Sequence, residues 1–196
     1  DQQAAIDFRA WRAYPEKQIQ LVMPRGLMER LGDVRTAYGS QLAYYEKQGF
    51  VSCRTFERKT AIGDLGVTAL PVDRGDQTAY IYVFEKEGRK LVYAPCDIKP
   101  FPEAEDAVQN ADLLVTQPGI FETGLKHEFV YPKGHISRKT LYTFEETLAL
   151  ARRIGSRQIL FVHLEEYWNR SYTDYAGIEK KHRGVAFAYD GMPVDV

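Results

Sequence analysis

The stretch TAYIYVFEKEGRKLVYAPCDIKPFPEAEDAVQNADLLVT, residues 78–116, decides the fold class. TAYIYVFE (78–85) and KLVYAP (90–95) are dense in β-branched and aromatic residues, the side chains that suit a pleated surface. Lys86-Glu87-Gly88-Arg89 joins them as a hairpin connection containing a glycine. DLLVT (112–116) is apolar after its first residue, which predicts a strand covered on both faces, with a short helix around 102–109 leading into it. Upstream, VTALPV (67–72) is a further strand. Downstream, Thr143-Phe144-Glu145-Glu146 is a capping box with Thr143 as N-cap. Its helix carries Phe144, Leu148, Ala151 and Ile154 on one face and stops at Gly155, and QILFVH (158–163) follows as a second buried strand. Antiparallel strands therefore precede strand–helix–strand units, which is α/β with a mixed sheet.

The flanks are plainer. Residues 3–13 place Ala4, Phe8 and Trp11 at helical spacing, and Tyr14-Pro15 ends that helix. IQLVM (19–23) is expected to be a buried strand, followed by a helix through Met28 and Leu31 to Gly32. Residues 37–48 are predicted helical and FVSCRTFE (50–57) a strand. A helix near 173–181 and a last strand pair around Asp190-Gly191 complete the pattern. No repeat and no linker interrupts it, so a single domain over 1–196 is expected.

Composition narrows the function classes. With 26 Lys plus Arg against 27 Asp plus Glu, the 196 residues carry a formal charge of −1, which argues against a general nucleic-acid coat though not against a local phosphate site. Cys53 and Cys96 are too few for a disulfide framework and predict reduced thiols in a cytosolic protein. No apolar run approaches the roughly 20 residues that span a bilayer. The first ten residues, with Asp1, Asp7 and Arg9, lack the apolar stretch of a signal peptide.

Two residues have a telling address. His163 closes QILFVH and Asp97 closes KLVYAPCD, and the carboxyl ends of strands are where α/β folds place their sites. A carboxylate and an imidazole there suit a hard or borderline cation such as zinc. His135, in the polar loop KGHISR, has the residue type for acid or base work, while His127 and His182 have no such context. Asp73-Arg74-Gly75-Asp76 is a turn that either contacts phosphate or is merely solvated. Cys96 is expected to fill space at the strand end. HLEEYWNRSYTDY (163–175) mixes acids with aromatics, to line a pocket or to cap the sheet. No glycine-rich phosphate loop, nucleophile elbow or CxxC is present.

Taken in order, ALPVDRGDQTAYIYVFEKEGRKLVYAPCD, ADLLVTQPG, GHISRKTLYTFEETLALARRIGSRQILFVHLEEYW and FAYDGMPVDV resemble the metallo-β-lactamase fold. The likeness is weak over residues 1–60 and good from 67 onward. It is greatest to the phosphodiesterase-type hydrolases: the cyclic ribose-phosphate phosphodiesterase of carbon–phosphorus lyase pathways and, further off, the tRNA 3′-processing ribonuclease. The resemblance implies an αββα sandwich with mixed sheets and two metal ions, zinc or manganese, at the sheet edge. It assigns Asp97 as the bridging carboxylate, His163 as the last metal-binding histidine and His135 as the loop histidine that moves a proton. A small-molecule phosphodiester is the substrate it implies, with nucleic acid a lesser expectation and no membrane partner. Other hydrolases of the fold, acting on thioesters or lactams, are the alternative.

Two departures bear on this. The defining HxHxDH motif occurs nowhere in the 196 residues. In relatives it sits just ahead of a segment like DQQAAIDFRAW (1–11), so the chain is expected to be the C-terminal two-thirds or so of such a domain, incomplete at the N-terminus. The competing expectations are one piece of a split protein, or a degenerate member kept for binding. Arg74 stands where a histidine is expected after ALPVD, and a guanidinium offers no lone pair to a metal, which leaves it a substrate-binding role. The chain alone is accordingly expected to hold metal weakly and to associate with a missing N-terminal piece or with a second copy.

Overall fold

The structure is a computed structural model describing residues 18–196 apart from 38, 75, 76 and 123, and describing the backbone alone at 73, 74, 77 and 78. The helix expected at 3–13 lies outside the described residues. The chain divides into two compact units, residues 1–59 and 60–196.

In the first unit β1 (Ile19–Pro24) leads directly into α1 (Arg25–Gly32), and β2 (Arg35–Thr36) and β3 (Gly39–Ser40) form a minimal antiparallel ribbon. α2 (Gln41–Lys47) and β4 (Val51–Phe56) follow, and β1 and β4 pair in parallel from Ile19↔Val51 to Pro24↔Phe56. Two expectations need correction here. The helix predicted over 37–48 starts only at Gln41, because Ser40 takes the cap position and accepts the Ala43 amide at 3.4 Å. The strand at 19–23 is mostly half-buried rather than buried, as suits a two-stranded ribbon.

The second unit is built on a seven-stranded mixed sheet, ordered β11-β10-β9-β8-β7-β6-β5. β5 (Lys59–Ile62), β6 (Leu65–Arg74), β7 (Gln77–Lys86) and β8 (Arg89–Ala94) lie on one side of it. β7 runs antiparallel to both β6 and β8, and it turns into β8 through Glu87 and Gly88, both with positive φ (51° and 75°), the two-residue turn whose twist matches a hairpin. β9 (Leu113–Thr116), β10 (Gln158–Phe161) and β11 (Val185–Phe187) extend the sheet in parallel from β8. The helix expected at 102–109 shrinks to one 3-10 turn, Asp106–Val108, in a segment that Pro100 and Pro102 keep from starting earlier. No strand pair forms at Asp190-Gly191. β11 arrives parallel to β10 at the sheet's margin, and the chain then leaves in a turn closed by the Met192 amide on the Tyr189 carbonyl, 3.0 Å.

Alternation along the strands divides the core. Ile81, Val83, Val92, Leu114, Ile159 and Phe161 face one way, packing with Phe144, Leu148 and Ala151 of α4 (Phe144–Arg153) and Tyr175 of α5 (Tyr172–Glu179). Leu113, Val115 and Leu160 form a smaller cluster on the opposite face, so β9 is covered on both sides as its unbroken apolar run predicts. α4 begins as expected: the Thr143 hydroxyl accepts the Glu146 amide at 3.2 Å, and the Glu146 carboxylate accepts the Thr143 amide at 2.8 Å. A four-residue helix, α3 (Ser137–Thr140), precedes it. Gly119 is required where β9 passes the start of α4. At φ +86° a Cβ would sit 2.3 Å from the Tyr142 carbonyl oxygen, and this close approach lets the Ile120 amide reach that oxygen at 2.8 Å.

These contacts rank two substitutions. Thr143→Ala removes the cap and lowers stability by about 1 kcal/mol, whereas Leu114→Ala opens a cavity in the fully buried layer and costs about 2–5 kcal/mol. Urea unfolding monitored by circular dichroism checks the order; equal effects would show that α4 and β9 do not share the core described.

Candidate active edge

One row of residues, Ala69–Tyr82–Tyr93–Val115–Leu160–Ala186, runs straight across six strands. β6, β8, β9 and β10 all cross it in the same direction, so their carboxyl ends share one edge of the sheet. Asp97 lies four residues past the row, Gln117 two and His163 three, and the backbone of Arg74 ends β6 five past it. The structure thus brings Asp97, His163 and the backbone of Arg74 to one edge. The Arg74 side chain lies outside the described residues.

The backbone there is unusual in a consistent way. Asp97 has φ +53° and His163 φ +56°, the left-handed region that aspartate and histidine tolerate better than branched residues do. Each strand turns sharply as it leaves the sheet, which brings its polar residue to the edge. The Asp97 amide donates to Oε1 of buried Gln117 at 3.3 Å, tying the end of β8 to the end of β9. His163 is half-exposed, and its Nε2 meets Glu165 Oε1 at 3.0 Å. Cys96, expected as a small filler at the strand end, is exposed, and neither it nor Cys53 forms a disulfide. Burial, helped by a hydrogen bond to Glu46, pushes the Cys53 thiol up to about 11, so it stays protonated at neutral pH.

β9 separates Asp97 from His163, which sets their strands roughly 10 Å apart. A structural zinc site takes four protein ligands and a catalytic one about three. Among the described residues no group of three His, Cys, Asp or Glu lies close enough to hold an ion. Asp97 and His163 are donors of the right chemistry but too few, so the described residues do not by themselves fit a metal.

His135 belongs to the loop before α3. Its Nδ1 accepts the Ser137 amide at 3.2 Å, and its own amide donates to the Pro132 carbonyl at 2.9 Å. The ring stands edge-on to Tyr131, 5.0 Å between centroids, and to Phe129 at 6.0 Å. Arg138 clasps the loop by donating to the carbonyls of Pro132 at 3.0 Å and Tyr131 at 2.7 Å, and by an ion pair with Glu122. Two further contacts tie this loop to the segment after His163: the Tyr131 hydroxyl donates to the Tyr167 hydroxyl at 2.6 Å, and Lys126 pairs with Glu166. The pair with Lys126 holds the Glu166 carboxyl below its usual value. Of the expected site residues, then, Asp97 and His163 share an edge, and His135 sits on a loop fastened to the His163 segment.

Gln117, Glu165, Tyr131 and Tyr167 were not singled out from sequence. Gln117 had a legible signal, as the first polar side chain after the apolar β9. The tyrosine pair had none, because its members lie 36 residues apart.

Burial, reinforced by Tyr167, raises the Tyr131 phenol above the ordinary tyrosine value. Its contribution to stability is therefore complete below pH ~10 and is lost only as pH climbs through the higher folded value. Tyr131→Phe keeps the ring against His135 and deletes the hydrogen bond, at about 1 kcal/mol. Hydrogen exchange should then quicken at the Ser137 and Arg138 amides while β9 stays protected. Unchanged exchange at both amides would mean the two segments are not coupled.

Over residues 5–164 the sequence matches the beta-lactamase superfamily domain. No curated protein matches it. Solved structures share the fold at low identity. A new diphosphatase from the PhnP family has a TM-score of 0.64 at 13% identity, over 95% of this chain and 62% of that one. The metallo-beta-lactamase fold protein YhfI from Bacillus subtilis scores 0.66 at 14% identity, over 97% and 71%. Zn(2+)-bound PqqB from Methylobacterium extorquens scores 0.58 at 20% identity, over 91% and 63%. The chain thus spans less than two thirds of the diphosphatase and of PqqB. With its large mixed sheet and a match over residues 5–164, the chain belongs to the beta-lactamase superfamily domain family, built on the metallo-β-lactamase fold of largely hydrolytic enzymes.

Proposed function

We propose that this chain carries the catalytic edge of a metal-dependent hydrolase of phosphodiester type. The observation that carries the reading is the placement of Asp97 and His163 at the carboxyl ends of β8 and β10, with His135 on a loop fastened beside the second. Zinc, or alternatively manganese, is the cofactor of the whole protein. The donors not found among the described residues come from elsewhere in the whole protein, from a separate chain, or from a second copy. The substrate is a small-molecule phosphodiester, and two cysteines without a disulfide suit the reducing cytoplasm. Among the described residues no helix is long and apolar enough to cross a membrane.

The chain's own residues divide the work. Asp97 and His163 supply an anionic oxygen and an imidazole nitrogen at the edge. With its Nδ1 taken by the Ser137 amide, a neutral His135 ring carries its proton on Nε2 and donates from there. That tautomer suits a group serving a leaving-group oxygen better than one that strips a proton from water. Tyr131 and Arg138 hold the ring and its loop in place.

The test compares variants of the product of the whole reading frame, measuring bound metal and hydrolysis of a bis-aryl phosphodiester. Asp97→Ala should lose both metal and turnover. His135→Ala should keep its metal and lose about 10²–10⁴ in rate. Arg74→His should raise affinity at one metal position if that residue stands in for a ligand. A His135→Ala protein that loses its metal or keeps full activity would overturn the proton-carrier role. A whole-frame product that holds no metal and hydrolyses nothing would favour the binding or scaffold member that Arg74 suggests.

A further inference from the structure

The opposite edge of the sheet, where β10 begins, carries a different chemistry. α4 ends in Arg152 and Arg153, with Arg157 just ahead of β10, and α5 is followed at once by Lys180-Lys181-His182-Arg183. A cavity of about 280 Å³ lies between these two chain turns. Its polar lining is Arg152, Ser156, Arg157, Lys181, His182 and Arg183, without one acidic side chain. Arg157 is paired with Asp112 at 2.8 Å and Arg153 with Glu103 at 2.7 Å. Arg152, Lys181 and Arg183 have no ion pair among the described residues.

Helix C-termini draw cations, and two helices end here, which accounts for one or two of these residues on each. It does not account for a concave site lined by four Lys and Arg side chains and no acidic one in a chain whose net charge is −1. These four side chains are exposed, so solvent screens their mutual repulsion, and an anion in the concavity would relieve what remains. The walls are also fixed. Gly184, at φ +81°, brings its turn so close that a Cβ would lie 3.0 Å from the Arg157 carbonyl oxygen, and the Ile159 amide donates to the Gly184 carbonyl at 2.7 Å. The His182 ring is held edge-on to Phe144, 5.8 Å between centroids.

We propose that this cavity is a binding site for a polyphosphate group, either inorganic or the tail of a nucleoside triphosphate. Guanidinium forks and an ammonium around a small concave volume match several linked phosphates better than one. An extended single-stranded nucleic acid is disfavoured, since no aromatic platform for stacking bases lines the cavity. β10 separates this cavity from His163 by about five residues, roughly 15 Å, so the site is distinct from the active edge.

Calorimetric titration of the 196-residue chain with tripolyphosphate, at low and at high salt, tests the site directly. Saturable one-to-one binding that weakens with salt is expected. The triple variant Arg152→Ala, Lys181→Ala, Arg183→Ala should bind at least about tenfold more weakly with an unchanged melting temperature. Arg35→Ala, Lys47→Ala, Lys59→Ala removes the same charge elsewhere and should leave binding intact. ATP binding as tightly as tripolyphosphate supports a site that reads phosphates alone, and tighter binding supports the nucleotide as the source. The proposal fails if binding does not saturate, if both triple variants lose affinity equally, or if a bound single-stranded oligonucleotide resists displacement by tripolyphosphate.

Discussion

The shared direction of β6, β8, β9 and β10, locked by the row from Ala69 to Leu160, is the constraint on which the rest depends. A shift of one residue in any strand would turn its core side chains to the other face and move its end away from the common edge. The register is held by burial: Val92, Leu114 and Phe161 are sealed against α4, and Val115 and Leu160 against the opposite cluster. The polar groups of the edge are therefore placed by the apolar side chains behind them. Asp97 and His163 need only the sharp left-handed turn that each makes on leaving its strand.

The sheet separates two kinds of chemistry along the length of β10. At the carboxyl end lie the Asp97 carboxylate, the His163 imidazole, a buried amide and the end of β6 at Arg74. At the amino end lie cations drawn together by the C-termini of α4 and α5. On the two proposals made above, the ends take different ligands, a divalent cation at one and a polyanion at the other. They also differ in how they are held. The amino end is fixed by main-chain hydrogen bonds between β10 and the 182–185 turn, whereas the His135 loop depends on side-chain contacts, Tyr131 with Tyr167 and Lys126 with Glu166.

What was legible in the sequence was what local spacing encodes. Apolar runs marked β9 and β10, aromatic alternation marked β7 and β8, and Thr143 with Glu146 marked the start of α4. Asp97 and His163 could be singled out because each ends such a run. The misreadings arose where local pattern loses to context. Residues 37–40 suit a helix until Ser40 claims the cap, and 188–191 suit a hairpin until β11 enters parallel at the sheet margin. The tyrosine pair and the cationic cavity join residues distant in sequence, so no window of neighbours reveals them.

The central claim is that the edge holding Asp97 and His163 is where a divalent cation meets this chain. Nitrogen-15 imidazole spectra of its four histidines during a zinc titration test it most directly. The account predicts that the His163 resonances move first and that Asp97→Ala weakens the response, with His127 and His182 unaffected over the same range. A first response at His182 or His127, or a His163 response that Asp97→Ala leaves unchanged, would contradict it.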